Sequence, residues 1–181
     1  NAGTYDIKIK GKYESLQCPS SSEDAENYDK LKKIKQWGTT GLKYVGFEYG
    51  NDLNEIASPT ESSFVNLVGI WFLYAKIQSI PENLFANCPN VTSFEVTFCG
   101  CSNLTSIPEK LFANCLNATS FEKTFYECTN LTGNAPELWK RGTNSEENYY
   151  MGNPNGWKCF TRCKGLKNYE EIPGYWTDEL E

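Results

Sequence analysis

The sequence predicts a short solenoid of stacked repeat units carrying a β cap at its N-terminal end. Three observations support this. Two 27-residue segments match closely, a shorter half-unit recurs inside them, and aromatic residues are nearly as many as Leu, Ile and Val together. A unit of that length cannot bury its own apolar face, whereas stacked units share one continuous core.

The repeat is explicit. Ile80-Pro-Glu-Asn-Leu-Phe-Ala-Asn-Cys88 recurs as Ile107-Pro-Glu-Lys-Leu-Phe-Ala-Asn-Cys115, and Val91-Thr-Ser-Phe-Glu-Val-Thr-Phe98 as Ala118-Thr-Ser-Phe-Glu-Lys-Thr-Phe125. The half-unit Cys-x-Asn-apolar-Thr begins at Cys88, Cys101, Cys115 and Cys128. One unit upstream, Phe64, Leu67, Trp71, Tyr74, Ile77 and Ile80 fall where Val91, Phe94, Phe98, Cys101, Leu104 and Ile107 sit later. Further upstream, Gly50-Asn-Asp-Leu-Asn-Glu-Ile56 is a shortened echo. Downstream, Phe160-Thr-Arg-Cys163 matches Phe125-Tyr-Glu-Cys128 in an enlarged unit, whose extra length falls in the polar loop Arg141-Gly-Thr-Asn-Ser-Glu-Glu-Asn148. The last half-unit, Gly165 to Trp176, resembles Asn130 to Trp139.

Each coil is predicted to hold two short strands. Val91, Phe94, Phe98, Leu104 and Ile107 point inward, and Thr92, Glu95 and Thr97 point out. Pro108 to Asn114 suits a helical or 3-10 turn with proline first, and Phe125-Tyr-Glu-Cys128 makes a second tight turn. The N-terminal stretch differs. Thr4 to Tyr13 alternates apolar and polar residues as a half-buried strand does, Cys18 to Glu26 reads as a polar loop, and Tyr28 to Trp37 suits a strand or a short helix. Open ends expose unpaired backbone, so residues 1–36 are assigned as a cap and 37–181 as the solenoid with its C-terminal cap.

Composition narrows the chemistry. The chain has 181 residues, 26 aromatics among them, eight cysteines and no histidine. Without histidine there is no Ser-His-Asp or Cys-His arrangement, no two-His metal site and no usual general base near neutral pH. A net charge of −6 argues against nucleic acid, which needs a basic surface. The longest apolar run, Leu67 to Ala75, is nine residues, against about 18 or more for a spanning helix. The start at Asn1 without methionine suggests a processed or trimmed product with its leader absent.

The motif Phe-x-x-Cys-x-Asn-Leu-Thr-x-Ile-Pro resembles the leucine-rich repeats of BspA-like bacterial surface proteins, over roughly residues 40–176 and most clearly over 77–139. The resemblance implies a curved right-handed leucine-rich-repeat solenoid and a secreted or cell-surface setting. It also implies adhesion to a protein on a host or neighbouring cell, with no catalytic residues. No cofactor or metal is expected, and the chain is expected to act as a monomer. Few units and a degenerate first one set this chain apart from that pattern.

The repeated cysteines read as small buried core residues, with a disulfide between neighbouring units left open. Cys99-Gly-Cys101 and Cys159-x-x-x-Cys163 lack zinc-ribbon spacing. Asn90, Asn103, Asn117 and Asn130 each open an Asn-x-Thr sequon, yet all fall on the repeat, where an asparagine can bond the backbone of its own turn. Adjacent acidic pairs such as Glu146-Glu147 and Glu170-Glu171 read as solvated charge. The candidate ligand surface is the outward column Glu95, Thr97, Glu122, Lys123 and Thr124. A rival aromatic patch of Tyr149, Tyr150, Trp157 and Trp176 suits a glycan ligand instead.

Overall fold

The structure, a computed structural model, describes residues 13–18, 31–38, 41–48, 52–141 and 154–177. Its strands are β1 (Ser15–Cys18), β2 (Lys33–Ile34), β3 (Tyr44–Glu48), β4 (Glu55–Ile56) and β5 (Gly69–Leu73). They form two small parallel sheets, one ordered β1-β3-β5 and the other β2-β4. Among the described residues, helix is confined to 3-10 turns at Leu138–Lys140 and Tyr169–Glu171 and a single α-helical turn at Gly174–Thr177.

This architecture overturns the expected leucine-rich-repeat solenoid with two strands per coil and an N-terminal β cap. The named strands all lie within 15–73, and the clearest repeats, 77–139, contribute none. There the chain makes consecutive turns and only isolated bridges, Ser93 to Ser120 and Ser120 to Asn155. The reason is local. Val96 has φ 51° and Lys123 φ 50°, left-handed values that break an extended run. Thr97 N donates back to Phe94 O, Cys99 N to Val96 O and Cys101 N to Phe98 O, each closing a turn. Pro108 to Asn114 behaves likewise, with Leu111 N on Pro108 O and Ala113 N on Lys110 O.

At the N-terminal end, β1 pairs with β3 and β2 with β4, so residues before 36 share both sheets with residues beyond. The strand expected over 4–12 and the loop over 19–26 lie outside the described residues, as does 142–148 of the polar loop.

The repeat nevertheless sets the contacts. Phe94 N donates to Ser120 O, Val96 N to Glu122 O, Phe98 N to Thr124 O and Gly100 N to Tyr126 O, linking alternate residues of one unit to the next. Phe121, Lys123, Phe125 and Glu127 repeat this toward Asn155, Trp157, Cys159 and Thr161. Inside, one phenylalanine per unit stacks on its equivalent. Ring centroids lie 5.8 Å apart for Phe47–Phe72, 5.7 Å for Phe72–Phe98, 5.4 Å for Phe98–Phe125 and 5.7 Å for Phe125–Phe160. Trp176 closes the column on Phe160 at 6.3 Å. A second column pairs Phe94 with Phe121, and a third pairs Phe85 with Phe112.

The column corrects the upstream register. Phe72, not Trp71, takes the phenylalanine position, and Ala75, not Tyr74, takes the cysteine position; both are buried. The expected inward set of Val91, Phe94, Phe98, Leu104 and Ile107 is buried as predicted. The Phe160–Cys163 match also holds, because Cys163 Sγ donates to Phe125 O at 3.0 Å just as Cys128 Sγ donates to Phe98 O at 3.0 Å.

Truncating a ring in this column removes burial and leaves a void. Phe98→Ala is therefore expected to lower unfolding free energy by about 3–5 kcal/mol. Thr129→Ala, at an exposed turn, stays within about 0.5 kcal/mol of the parent. Urea midpoints at constant m-value measure both.

Candidate functional site

The five residues expected to form one outward column divide into two groups. Thr97 and Thr124 are buried, so their assignment to a ligand surface is corrected. The turn that closes at Thr97 swings its side chain inward. Its hydroxyl then donates to Ile70 O at 2.9 Å, while Thr124 Oγ1 lies 2.9 Å from Phe94 O and 2.8 Å from Phe121 O. A buried hydroxyl without such partners would be costly, which explains why threonine recurs here. Glu95 is exposed, and Glu122 and Lys123 are half-buried.

Those three belong to a surface cluster built from neighbouring units. Glu95 and Glu122 hold equivalent positions, placed side by side by the Val96 to Glu122 backbone bond. Like charges so placed are unfavourable. Glu122 is offset by Lys123 Nζ at 3.6 Å and by Asn155 Nδ2, which donates to its Oε2 at 3.2 Å. Asn155 in turn orders the next unit, since Trp157 N and Tyr175 OH both donate to its Oδ1 at 3.1 Å. Lys123 Nζ sits 4.4 Å from the Trp157 ring centre and Lys158 Nζ 5.0 Å from it. Each such contact is worth about 0.5–1 kcal/mol at an exposed site. Arg162 Nη1 pairs with Glu127 Oε1 at 2.9 Å one row further on.

Sequence reasoning missed Asn155, Lys158 and Tyr175, although the Phe160–Cys163 match already sets Lys158 on Lys123 and Asn155 on Ser120. Lys158 φ 56° repeats the left-handed values of Val96 and Lys123, in keeping with that alignment. The rival aromatic patch is not assembled as expected. Trp176 is buried on Phe160, Trp157 is half-buried under its two ammonium groups, and Tyr149 and Tyr150 lie outside the described residues.

Seven of the cysteines, Cys88, Cys99, Cys101, Cys115, Cys128, Cys159 and Cys163, are free and buried. Cys101 Sγ donates to Phe72 O at 3.0 Å, the same bond that Cys128 and Cys163 make one and two units on. Burial pushes every one of these thiols up, Cys88 to about 12 and Cys99 and Cys115 to about 11. Cys101, Cys128 and Cys159 move in the same direction for the same reason. Neutral buried thiols are poor nucleophiles and poor ligands. Among the described residues no group of three or more Cys, Asp or Glu is placed to hold a metal ion.

Two of the four sequon asparagines carry bonds between units rather than within their own turn. Asn90 Nδ2 donates to Val65 O at 3.0 Å and Asn117 Nδ2 to Pro89 O at 2.8 Å. Among the described residues no helix is long and apolar enough to cross a membrane.

The thiol values fix a pH response. An unfolded thiol titrates near about 8.5, so above that pH the folded state holds more protons than the unfolded one. The thiol contribution to stability is thus intact at pH 7, begins to fall near pH 9 and is lost through about 11–12. Urea midpoints at pH 7 and pH 10 measure the loss, and a Cys101→Ala, Cys128→Ala variant is expected to show a shallower one.

Compared with known proteins, the chain matches no family model, and no curated protein matches it.

Proposed function

We propose that this protein is a non-catalytic binding module that works outside the cell, secreted or held on a bacterial surface. It engages a protein ligand on a host or neighbouring cell. The observation that carries this reading is the cluster of Glu95, Glu122, Lys123, Trp157 and Lys158, which places charge of both signs and an aromatic ring on adjoining units. The rim of a protein interface is polar, and complementary charge there steers encounter and fixes register. The resemblance of the Phe-x-x-Cys-x-Asn-Leu-Thr motif to bacterial surface repeats supports the extracellular setting and the adhesive role.

The bonding of the polar core supports the non-catalytic part. Thr97, Thr124, Cys101, Cys128 and Cys163 are buried, and each places its side chain on a main-chain carbonyl of the preceding unit. These groups hold the units together, which leaves the surface to do the recognition.

A test uses the whole chain, immobilised, against an array of extracellular-matrix and bacterial surface proteins. A partner is expected that weakens as salt rises and loses at least tenfold in affinity with the pair Lys123→Glu and Lys158→Glu. Failure to bind any arrayed protein would count against the reading, as would a partner indifferent to that double charge reversal.

A further inference from the structure

A second patch, distinct in chemistry from the charged cluster, occupies the outer face of the three-stranded sheet. In register, Tyr44 of β3 lies opposite Gly69 of β5, and Gly46 of β3 lies opposite Trp71 of β5. Each aromatic residue therefore faces a glycine across the ladder, in a two-by-two checkerboard. The burial alternation of β5 puts Ile70 and Phe72 inside and leaves Gly69, Trp71 and Leu73 toward solvent.

The glycines let the rings lie down. A Cβ placed on Gly46 would run into Cε2, Nε1 and Cζ2 of Trp71 at nearly equal distances, so the indole covers the glycine with its face. A Cβ on Gly69 would meet Tyr44 Cδ1 at 3.4 Å and Trp71 Cζ3 at 3.5 Å, so the two rings flank that glycine. Beyond the sheet, the Tyr74 ring rests on Gly100 in the same way. Tyr44 is 41 % and Tyr74 38 % exposed, and Trp71 is half-buried. Across β1, Ser15 pairs with Tyr44 and Gln17 with Gly46, adding exposed, uncharged hydrogen-bonding groups at the margin, while half-buried Glu48, opposite Leu73, closes the far end of the same face.

We infer that this pavement is a carbohydrate site, fitted to a neutral, extended, β-linked polysaccharide. Its chemistry selects that class. Pyranose rings present a flat C–H face to an aromatic face, and their equatorial hydroxyls reach sideways to groups such as Gln17 and Ser15. Tyr44 and Trp71 stand on neighbouring parallel strands about 4.8 Å apart and are two residues, about 6.6 Å, apart along them, so they serve different sugar units of one chain rather than a single sugar. Protein partners, in contrast, anchor through side chains inserted in pockets, and rings laid flat on glycine offer neither a protruding anchor nor a pocket. A bland alternative also predicts these pairs, because an aromatic side chain can cover a cross-strand glycine and steady the sheet. Stacking ability separates the two roles. Leucine at Trp71 still covers Gly46 yet has no ring to offer.

The test is sedimentation of the full chain with microcrystalline cellulose and with chitin, followed by intrinsic tryptophan fluorescence titration with soluble cello- and chito-oligosaccharides. The chain is expected to be depleted by at least one of the two polymers. Trp71→Leu and Tyr44→Ala are expected to weaken that binding at least tenfold, Trp71→Phe less than threefold and Trp157→Ala not at all. Circular dichroism and urea midpoints confirm that each variant is folded. Lack of binding to either polymer would overturn the inference, as would a folded Trp71→Leu variant that binds like the parent. The Lys123→Glu, Lys158→Glu variant separates the two surfaces, since it is expected to retain polysaccharide binding whether or not protein binding is lost.

Discussion

Stacking of one buried phenylalanine per unit is the constraint on which the rest of this structure depends. Centroid separations of 5.4–5.8 Å along Phe47, Phe72, Phe98, Phe125 and Phe160 are the offset stacking that aromatic pairs prefer. To hold that spacing, each unit must place its backbone one hydrogen bond from the next. The alternating donors Phe94, Val96, Phe98 and Gly100 do so. Each phenylalanine carbonyl accepts one N–H of its own turn, from Ala75, Cys101 or Cys128, and takes a second hydrogen bond at 3.0 Å from the cysteine thiol of the next unit. A thiol is small enough to fit beside the ring column and apolar enough to stay neutral there. Cysteine at this position, unlike leucine, adds a donor that ties each unit to the one before it.

The same geometry distributes chemistry over the surface. Because Thr97 and Thr124 turn inward to satisfy carbonyls, the outward positions left to vary are those of Glu95, Val96, Glu122, Lys123, Trp157 and Lys158. Left-handed backbone at Val96, Lys123 and Lys158 brings these positions out at the same point of each unit, so they form a row whose members come from distant parts of the chain. At the other end, the strands are regular, and glycines opposite aromatics give a flat face dominated by rings. One repeat thus carries two surfaces of different chemistry, a charged one on turns and an aromatic one on a sheet.

Much of the core was legible in the sequence, and the secondary structure was not. The inward set from Val91 to Ile107 could be read from the repeat, because identical units must bury identical positions. The Phe160–Cys163 register survived the enlarged unit for the same reason. What misled was the alternation in Val91 to Phe98. Period-two patterning suggested strands, but the turns that close at Thr97 and Cys99 put Thr97 and Phe98 both inside. A left-handed value at Val96, a β-branched residue for which such backbone is unfavourable, has no signature in composition. Upstream, a one-residue shortening moved the column from Trp71 to Phe72, and only the ring contacts reveal it. The candidate site was half visible: Glu95, Glu122 and Lys123 are where a surface column would put them, whereas Asn155 and Lys158 sit at legible repeat positions whose residue types differ from those of the preceding units or carry no motif.

The column makes a claim about coupling that a double-mutant cycle on Phe98 and Phe125 tests directly. Leucine at each position keeps most of the buried volume while removing the ring. If the stack holds the units in register, the two substitutions are non-additive, with a coupling energy of about 0.5–1.5 kcal/mol from urea unfolding. Strict additivity, with the double variant losing the sum of the two single losses, would contradict the account and reduce the column to ordinary apolar packing.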